Sequence, residues 1–284
     1  MTYRTLGKTG LRVSPLGLAQ LGMSGLRKPG LRPADVERAF HEHGVNTFLA
    51  HTGMKAISEG VRRLIRAGRR DDLVLISEAS FPVAHLVRLE LEKHLRTLGT
   101  DHLDAWLMGW VQRRWYFRDS VRSAMVRLRD EGKTRAIGFS CHDRPLAAAL
   151  ARELPADVLM IRYNAAHRGA EREIFAPLAD LGERRPGIIA YTATRWRMLL
   201  KPLPKGGFPR AMTGGECYRF VLGHPMVDTV WCAPQTTAEL REDVEAVRAG
   251  PLDPARREEV CRFGDAVHEA AVGGFRWMFG RTSG

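Results

Sequence analysis

Short, nearly continuous apolar runs alternate with segments of helical spacing from one end of the chain to the other. The runs are "PLGLAQ", "NTFLAH", "DLVLISEAS", "LDAWLMGW", "RAIGFSCH", "DVLMIRYN", "GIIAYTAT" and "VDTVWCAP". Between and after them lie "ADVERAFHEHG", "ISEGVRRLIRAG", "VAHLVRLELEKHLRTLG", "SVRSAMVRLRDEG", "PLAAALARE", "EREIFAPLADLG", "GECYRFVLGHP" and "AELREDVEAVRAG". A strand that is apolar on both faces has to be covered on both, as happens in a parallel sheet flanked by helices. Eight strand-plus-helix units in roughly 250 residues predict an α/β fold of the closed (β/α)8 barrel type. A doubly wound sheet more often carries a G-x-G-x-x-G turn after its first strand, and this chain has none. The opening "YRTLGKTGLRVSPL" reads as an N-terminal β-hairpin with a Gly-centred turn. No linker or low-complexity tract divides the chain, so residues 1–284 are read as one domain. The stretch "LPKGGFPRAMTGG" reads as a long flap over the mouth.

Composition narrows the class. An apolar share of 44% and a charged share of 27% are those of a globular domain. Lys and Arg number 44 against 32 acids, for a net charge of +12. That excess is either a solvated Arg-rich surface or a positive funnel for phosphorylated or carboxylated ligands. The basic residues are scattered, without dense runs or interleaved aromatics, so nucleic acid is not the expected partner. Cys141, Cys217, Cys232 and Cys261 include no C-x-x-C pair, which argues against a metal cluster or a disulfide scaffold. No stretch approaches 18 apolar residues, and the N-terminus lacks an apolar core, so no membrane association and a cytoplasmic location are expected.

Segment by segment, the chain resembles the aldo-keto reductases. "YRTLGKTGLRVSPLGLA" resembles their opening hairpin and first barrel strand, and "RTLGTDHLDAWLMGW" the junction into the fourth. "AIGFSCH", "YNAAHRGAE" and "GIIAYTA" resemble the fifth, sixth and seventh strands, and "YRFVLGHPMVDTVWCAPQTTAELRED" the last repeat. The resemblance implies carbonyl reduction with NADPH bound across the barrel mouth. The family's proton-donating Tyr, its Lys–Asp pair and its His would then fall on Met54, Glu78, Leu49 and Gly109. None of the four keeps the required side chain. Glu78 even inverts the charge where a cation would steady a developing alkoxide.

The cofactor positions the resemblance implies are partly kept. Tyr191 would stack on a nicotinamide, and Ser140 would bond its carboxamide. Cys141, Met160, Ala19 and Gln20 replace other usual contacts. Arg195, Arg197, Lys201 and Lys205 can be read as a pyrophosphate clamp or as ordinary loop residues. Gln235, Thr236 and Thr237 occupy the segment that would grip a 2′-phosphate, but Glu239 and Asp243 place acids beside it. NADPH therefore stays an open question, and no cofactor is assigned.

Strand ends of such a barrel converge on one mouth. His51, Glu78, Cys141, His142, Arg162 and Tyr191 are the polar candidates there, with Trp110, Trp196 and Trp231 as walls. Glu78 with His51 or His142 is an acid–base couple suited to elimination, isomerisation or cyclisation of a small anion, with Trp110, Arg162 and Trp196 as substrate contacts. Two other readings stand beside it: a NAD(P)H-dependent oxidoreductase with a different proton donor, and a silent ligand-binding or sensor protein. A metal held by His51, Glu78 and His142 is the weaker alternative, and no metal is assigned.

Overall fold

The computed structural model describes residues 1–20 and 30–279. Strands β1 (Arg4–Thr5) and β2 (Arg12–Val13) pair antiparallel, and Gly10 takes the left-handed conformation (φ 72°) that turns the chain between them. The barrel strands are β3 (Leu16–Leu18), β4 (Thr47–Leu49), β5 (Val74–Ala79), β6 (Leu103–Val111), β7 (Thr134–Cys141), β8 (Val158–Arg162), β9 (Gly187–Tyr191) and β10 (Thr229–Cys232). They are parallel and follow chain order, and β10 closes the ring on β3. This is the (β/α)8 barrel with an N-terminal hairpin that the alternation predicts.

Around it lie α1 (Pro33–His41), α2 (Lys55–Arg66), α3 (Ala84–Leu98), α4 (Asp119–Asp130), α5 (Arg144–Glu153), α6 (Ala176–Leu178), α7 (Gly214–Leu222) and α8 (Thr237–Arg248). The sixth unit departs from a regular helix. A π-helical turn over Glu171–Phe175 runs into α6 and then into a 3-10 stretch, Ala179–Arg184. Pro177 withholds a backbone donor inside this run, and Gly182 leaves helical geometry altogether (φ 52°, ψ −127°).

The bottom of the barrel is fastened by buried carboxylates. Asp228 receives a two-pronged ion pair from Arg185 at 2.6 and 2.8 Å and accepts the backbone N–H of Ile188. Asp104 binds Arg70 and Arg135 and accepts the N–H of Leu75. Leu6, Leu11 and Val13 of the hairpin region join the core, with Lys8 N–H donating to the Arg185 carbonyl. That end is built for stability.

A further helix, α9 (Pro254–Phe279), stands outside the alternation. Val260, Phe263 and Val267 bury at helical spacing. Gly264 lets the helix seat on the loop after β8: a Cβ there would lie 2.3 Å from the carbonyl oxygen of Ala165. The segment expected to be a flap is tied down. Leu203 and Phe208 exchange backbone hydrogen bonds, and the Phe208 ring packs on Phe263 at 5.4 Å. The Lys205 side chain lies outside the described residues. Among the described residues no helix is long and apolar enough to cross a membrane.

Candidate functional site

Glu78, near the end of β5, donates the central feature. The Ser140 hydroxyl, on β7, donates to Glu78 Oε2 at 3.2 Å. Strand β6 runs between β5 and β7, so this bond has to cross the barrel interior. Gly109 on β6 opens the path: a Cβ there would stand 3.4 Å from the Glu78 carboxyl and 2.7 Å from the Ala79 carbonyl oxygen. The strand then slips register between Met108 and Val111, and Trp110 adopts a left-handed conformation (φ 53°). This turns the Trp110 N–H onto Ser140 Oγ at 2.7 Å. The hydroxyl therefore accepts from the backbone and directs its own proton to Glu78. With only 9% of its surface exposed, Glu78 has its carboxyl pushed up to about 7 by burial, partly opposed by the Ser140 bond.

Beside this pair stand His142, Tyr191 and Arg162. The Tyr191 hydroxyl lies 3.2 Å from His142 Nε2, and the two rings meet edge to face at 5.5 Å. Burial first, then the Arg162 cation, lowers the His142 pKa, so the ring is neutral at pH 7. Burial raises the Tyr191 pKa, Arg162 opposes this, and the Glu78 charge adds to it, so the phenol stays protonated. Trp110, 58% exposed, stands edge-on to His142 at 6.3 Å as an outer wall. Arg162 ends β8 in register with Tyr191 and makes no ion pair among the described residues.

Several expected residues are placed elsewhere. His51 does not join Glu78: its ring packs edge-on against buried His94, which packs in turn on Trp106, and its Nδ1 accepts the Gly53 N–H. The cause is the short β4, after which residues 51–54 turn at once into α2. The set His51, Glu78 and His142 is thus not a cluster, and no group of three or more His, Cys, Asp or Glu side chains among the described residues can hold a metal ion. Leu49 and Met54 are buried in the core. The Cys141 thiol donates to the Asp143 carbonyl, and burial lifts its pKa to about 11, so it is no nucleophile.

A cleft of about 390 Å³ opens next to the mouth, lined by Gln20, Thr194, Trp196, Arg197, Trp231 and Asp243. Trp196 belongs to this cleft rather than to the Glu78 face. Here the fit of a 2′-phosphorylated dinucleotide is decided by Glu239. Thr236 caps α8 by accepting the Glu239 N–H, while the Glu239 carboxylate accepts the Gln235 N–H at 2.8 Å and the Arg197 guanidinium at 3.3 Å. The helix N-terminus and the cation that would receive a phosphate are already held by a carboxylate of the chain. Asp243 is buried beside them, pushed up to about 7 by burial and then by the charges of Glu239 and Glu242. Arg195, expected in a pyrophosphate clamp, points away and bonds His167 at 2.8 Å. At the other end Ser140 is engaged by Glu78, and the Met160 sulfur accepts the Trp231 indole N–H. The residues present do not fit NADPH.

His167, His268 and Glu242 escape a reading of the sequence. His167 follows a strand in an irregular loop and His268 comes from α9, and neither sits in a pattern that announces a mouth.

The architecture is a closed eight-stranded parallel (β/α)8 barrel with an N-terminal hairpin. Residues 84–199 match the Aldo/keto reductase family. The fold superposes on the aldo-keto reductase AKR11C1 from Bacillus halodurans in its holo form, with a TM-score of 0.75 at 21% identity over 94% of this chain and 97% of that one. Its apo form gives 0.73 at 20% identity with the same coverage. PA4992, an aldo-keto reductase candidate from Pseudomonas aeruginosa, gives 0.68 at 22% identity over 87% and 94%. A search of curated protein sequences finds no match.

Proposed function

We propose that the chain is a member of the aldo-keto reductase superfamily whose mouth performs proton transfer on a small anionic molecule. The reaction is of the isomerase, lyase or cyclase type, with Glu78 as the acid–base group and His142 beside it. The carrying observation is a carboxyl enclosed in the barrel, bonded to Ser140 and poised at about 7. Such a group is populated in both protonation states at neutral pH, so it can take a proton from carbon and return it. Arg162 supplies positive charge for the enolate-like oxygen that forms as the C–H bond breaks. Tyr191 and neutral His142 offer hydrogen bonds that orient the same oxygen.

The reductase reading draws on the family match over residues 84–199 and on the fold. Against it stand the apolar Leu49 and Met54, the absence of a side chain at Gly109 and the acid-filled α8 terminus. A ligand-binding protein without turnover would share the mouth but would have no use for a poised carboxyl.

The test is hydrogen exchange. The protein is incubated in D2O with a panel of small carboxylates, oxo acids and phosphate esters, and C–H exchange is followed by NMR. Exchange with an apparent pKa near 7, reduced by about a hundredfold or more in Glu78→Gln, is expected. NADPH-dependent reduction of a carbonyl panel, with no exchange, overturns the reading.

A further inference from the structure

We propose that Arg162 and Arg195, with His167, form a receptor for one oxyanion group, carboxylate or phosphate, carried by the ligand of this barrel. Several other part-buried guanidiniums are neutralised or capped: Arg185 by Asp228, Arg70 by Asp104 and Arg256 by Glu216, with Arg4 on two backbone carbonyls. Arg195 is only 6% exposed and has no carboxylate partner among the described residues. Its Nη1 donates to His167 Nε2 at 2.8 Å and lies 3.5 Å from His268 Nδ1, while its Nε is buried without any acceptor. Arg162 is equally unpaired. Two guanidiniums, close enough for each charge to depress the pKa of His167, therefore lie beside imidazoles with no carboxylate paired to either among the described residues.

The backbone is bent to hold this arrangement. Arg195, Trp196 and Arg197 are three successive non-glycine residues in the left-handed region, at φ 48°, 51° and 67°. The turn is fastened by Arg195 N–H on the Thr192 carbonyl and Met198 N–H on the Arg195 carbonyl. Its effect is to drive one guanidinium inward to His167 while sending the next, Arg197, to Glu239. His167 stays an acceptor because burial, then Arg162, Arg195 and His268, lower its pKa to about 4. The imidazole consequently anchors Arg195 without adding a third charge. From the other side α9 packs on this group, its His268 ring edge-on to His167 at 5.1 Å. An orphaned Nε beside Nη2 is the fork that meets two oxygens of a carboxylate or phosphate.

This assignment deepens the proton-transfer reading and rests on it only for which molecule carries the anion. The experiment is calorimetric titration of the full chain with inorganic phosphate and with succinate, at constant ionic strength set with chloride. In parallel, NMR follows the His167 Cε1–H signal. Saturable binding that moves this signal is expected, weakened at least tenfold in Arg162→Gln and in Arg195→Lys, which keeps a charge but loses the fork. Arg12→Gln, on the hairpin, is expected to leave it unchanged. The stronger of the two probes identifies the ligand's anionic group. Absence of saturable binding by either probe overturns the proposal, as does wild-type affinity retained in both site variants. Glu78→Gln separates the two readings: retained anion binding with lost exchange supports both, whereas unchanged exchange removes Glu78 and leaves the receptor standing.

Discussion

Gly109 and Glu78 are shaped to one another: a Cβ on the glycine would lie 3.4 Å from the Glu78 Oε2 and 2.7 Å from the carbonyl oxygen of the next residue on that strand. The empty position on β6 is what lets Glu78 reach Ser140 on β7. Gly109→Ala is therefore expected to cost about 1–3 kcal/mol of stability by overpacking, and Gly109→His more. Equilibrium denaturation checks the cost. A hydride-transfer activity regained by the histidine variant would show that the glycine is incidental.

Glu78 carries a pH signature. Its carboxyl rises from 4.5 to about 7 on folding, so the folded chain holds a proton that the unfolded chain releases between those values. The stabilisation is full below 4.5 and is lost as pH rises through 7, by about 3 kcal/mol. Asp243, also pushed up to about 7, contributes in the same direction. The difference between wild type and Glu78→Gln isolates the Glu78 share. Urea midpoints at pH 5 and pH 8 are expected to converge for the variant relative to wild type. An equal pH dependence in both would remove the shift.

Glu239 predicts cofactor behaviour. Fluorescence of Trp196 and Trp231, which line the cleft, is expected to show no saturable quenching by millimolar NADPH. Glu239→Gln withdraws the charge from the α8 terminus and releases Arg197, and affinity is expected to rise about tenfold or more. Micromolar NADPH binding by the wild type would contradict the misfit.

Asp228 tests the division between the two ends of the barrel. Asp228→Ala leaves Arg185 buried without its partner and the Ile188 N–H without an acceptor. A loss of about 3–5 kcal/mol is expected. Phosphate and succinate binding at the opposite end should persist wherever the variant remains folded.

The barrel was legible because its strands are apolar on both faces and its helices keep their period, so each unit announces itself locally. Glu78, His142, Arg162 and Tyr191 could be placed at one mouth because strand ends converge there, whereas Ser140, read only as a cofactor contact, instead bonds Glu78. His51 looked equivalent, but the turn after β4 folds it against His94, and only the three-dimensional path shows that. Arg195 reads in the sequence as a pyrophosphate-clamp candidate, and its turn toward His167 is not legible there. Its direction depends on three left-handed residues that no local propensity favours, and its neighbour His268 is far away in the chain. Helix α9 was missed because it breaks the alternation that made everything else visible.

Because α9 is seated on the loop after β8 through Gly264 and contributes no strand, the wall it gives the mouth is mechanically separate from the barrel's hydrogen-bonded ring. Substitutions along its inner face change what packs on His167 and the loop after β8 while every strand pairing stays intact. The ring of strands is thus a fixed chassis, and α9 is a separately attached part beside His167 and Arg195.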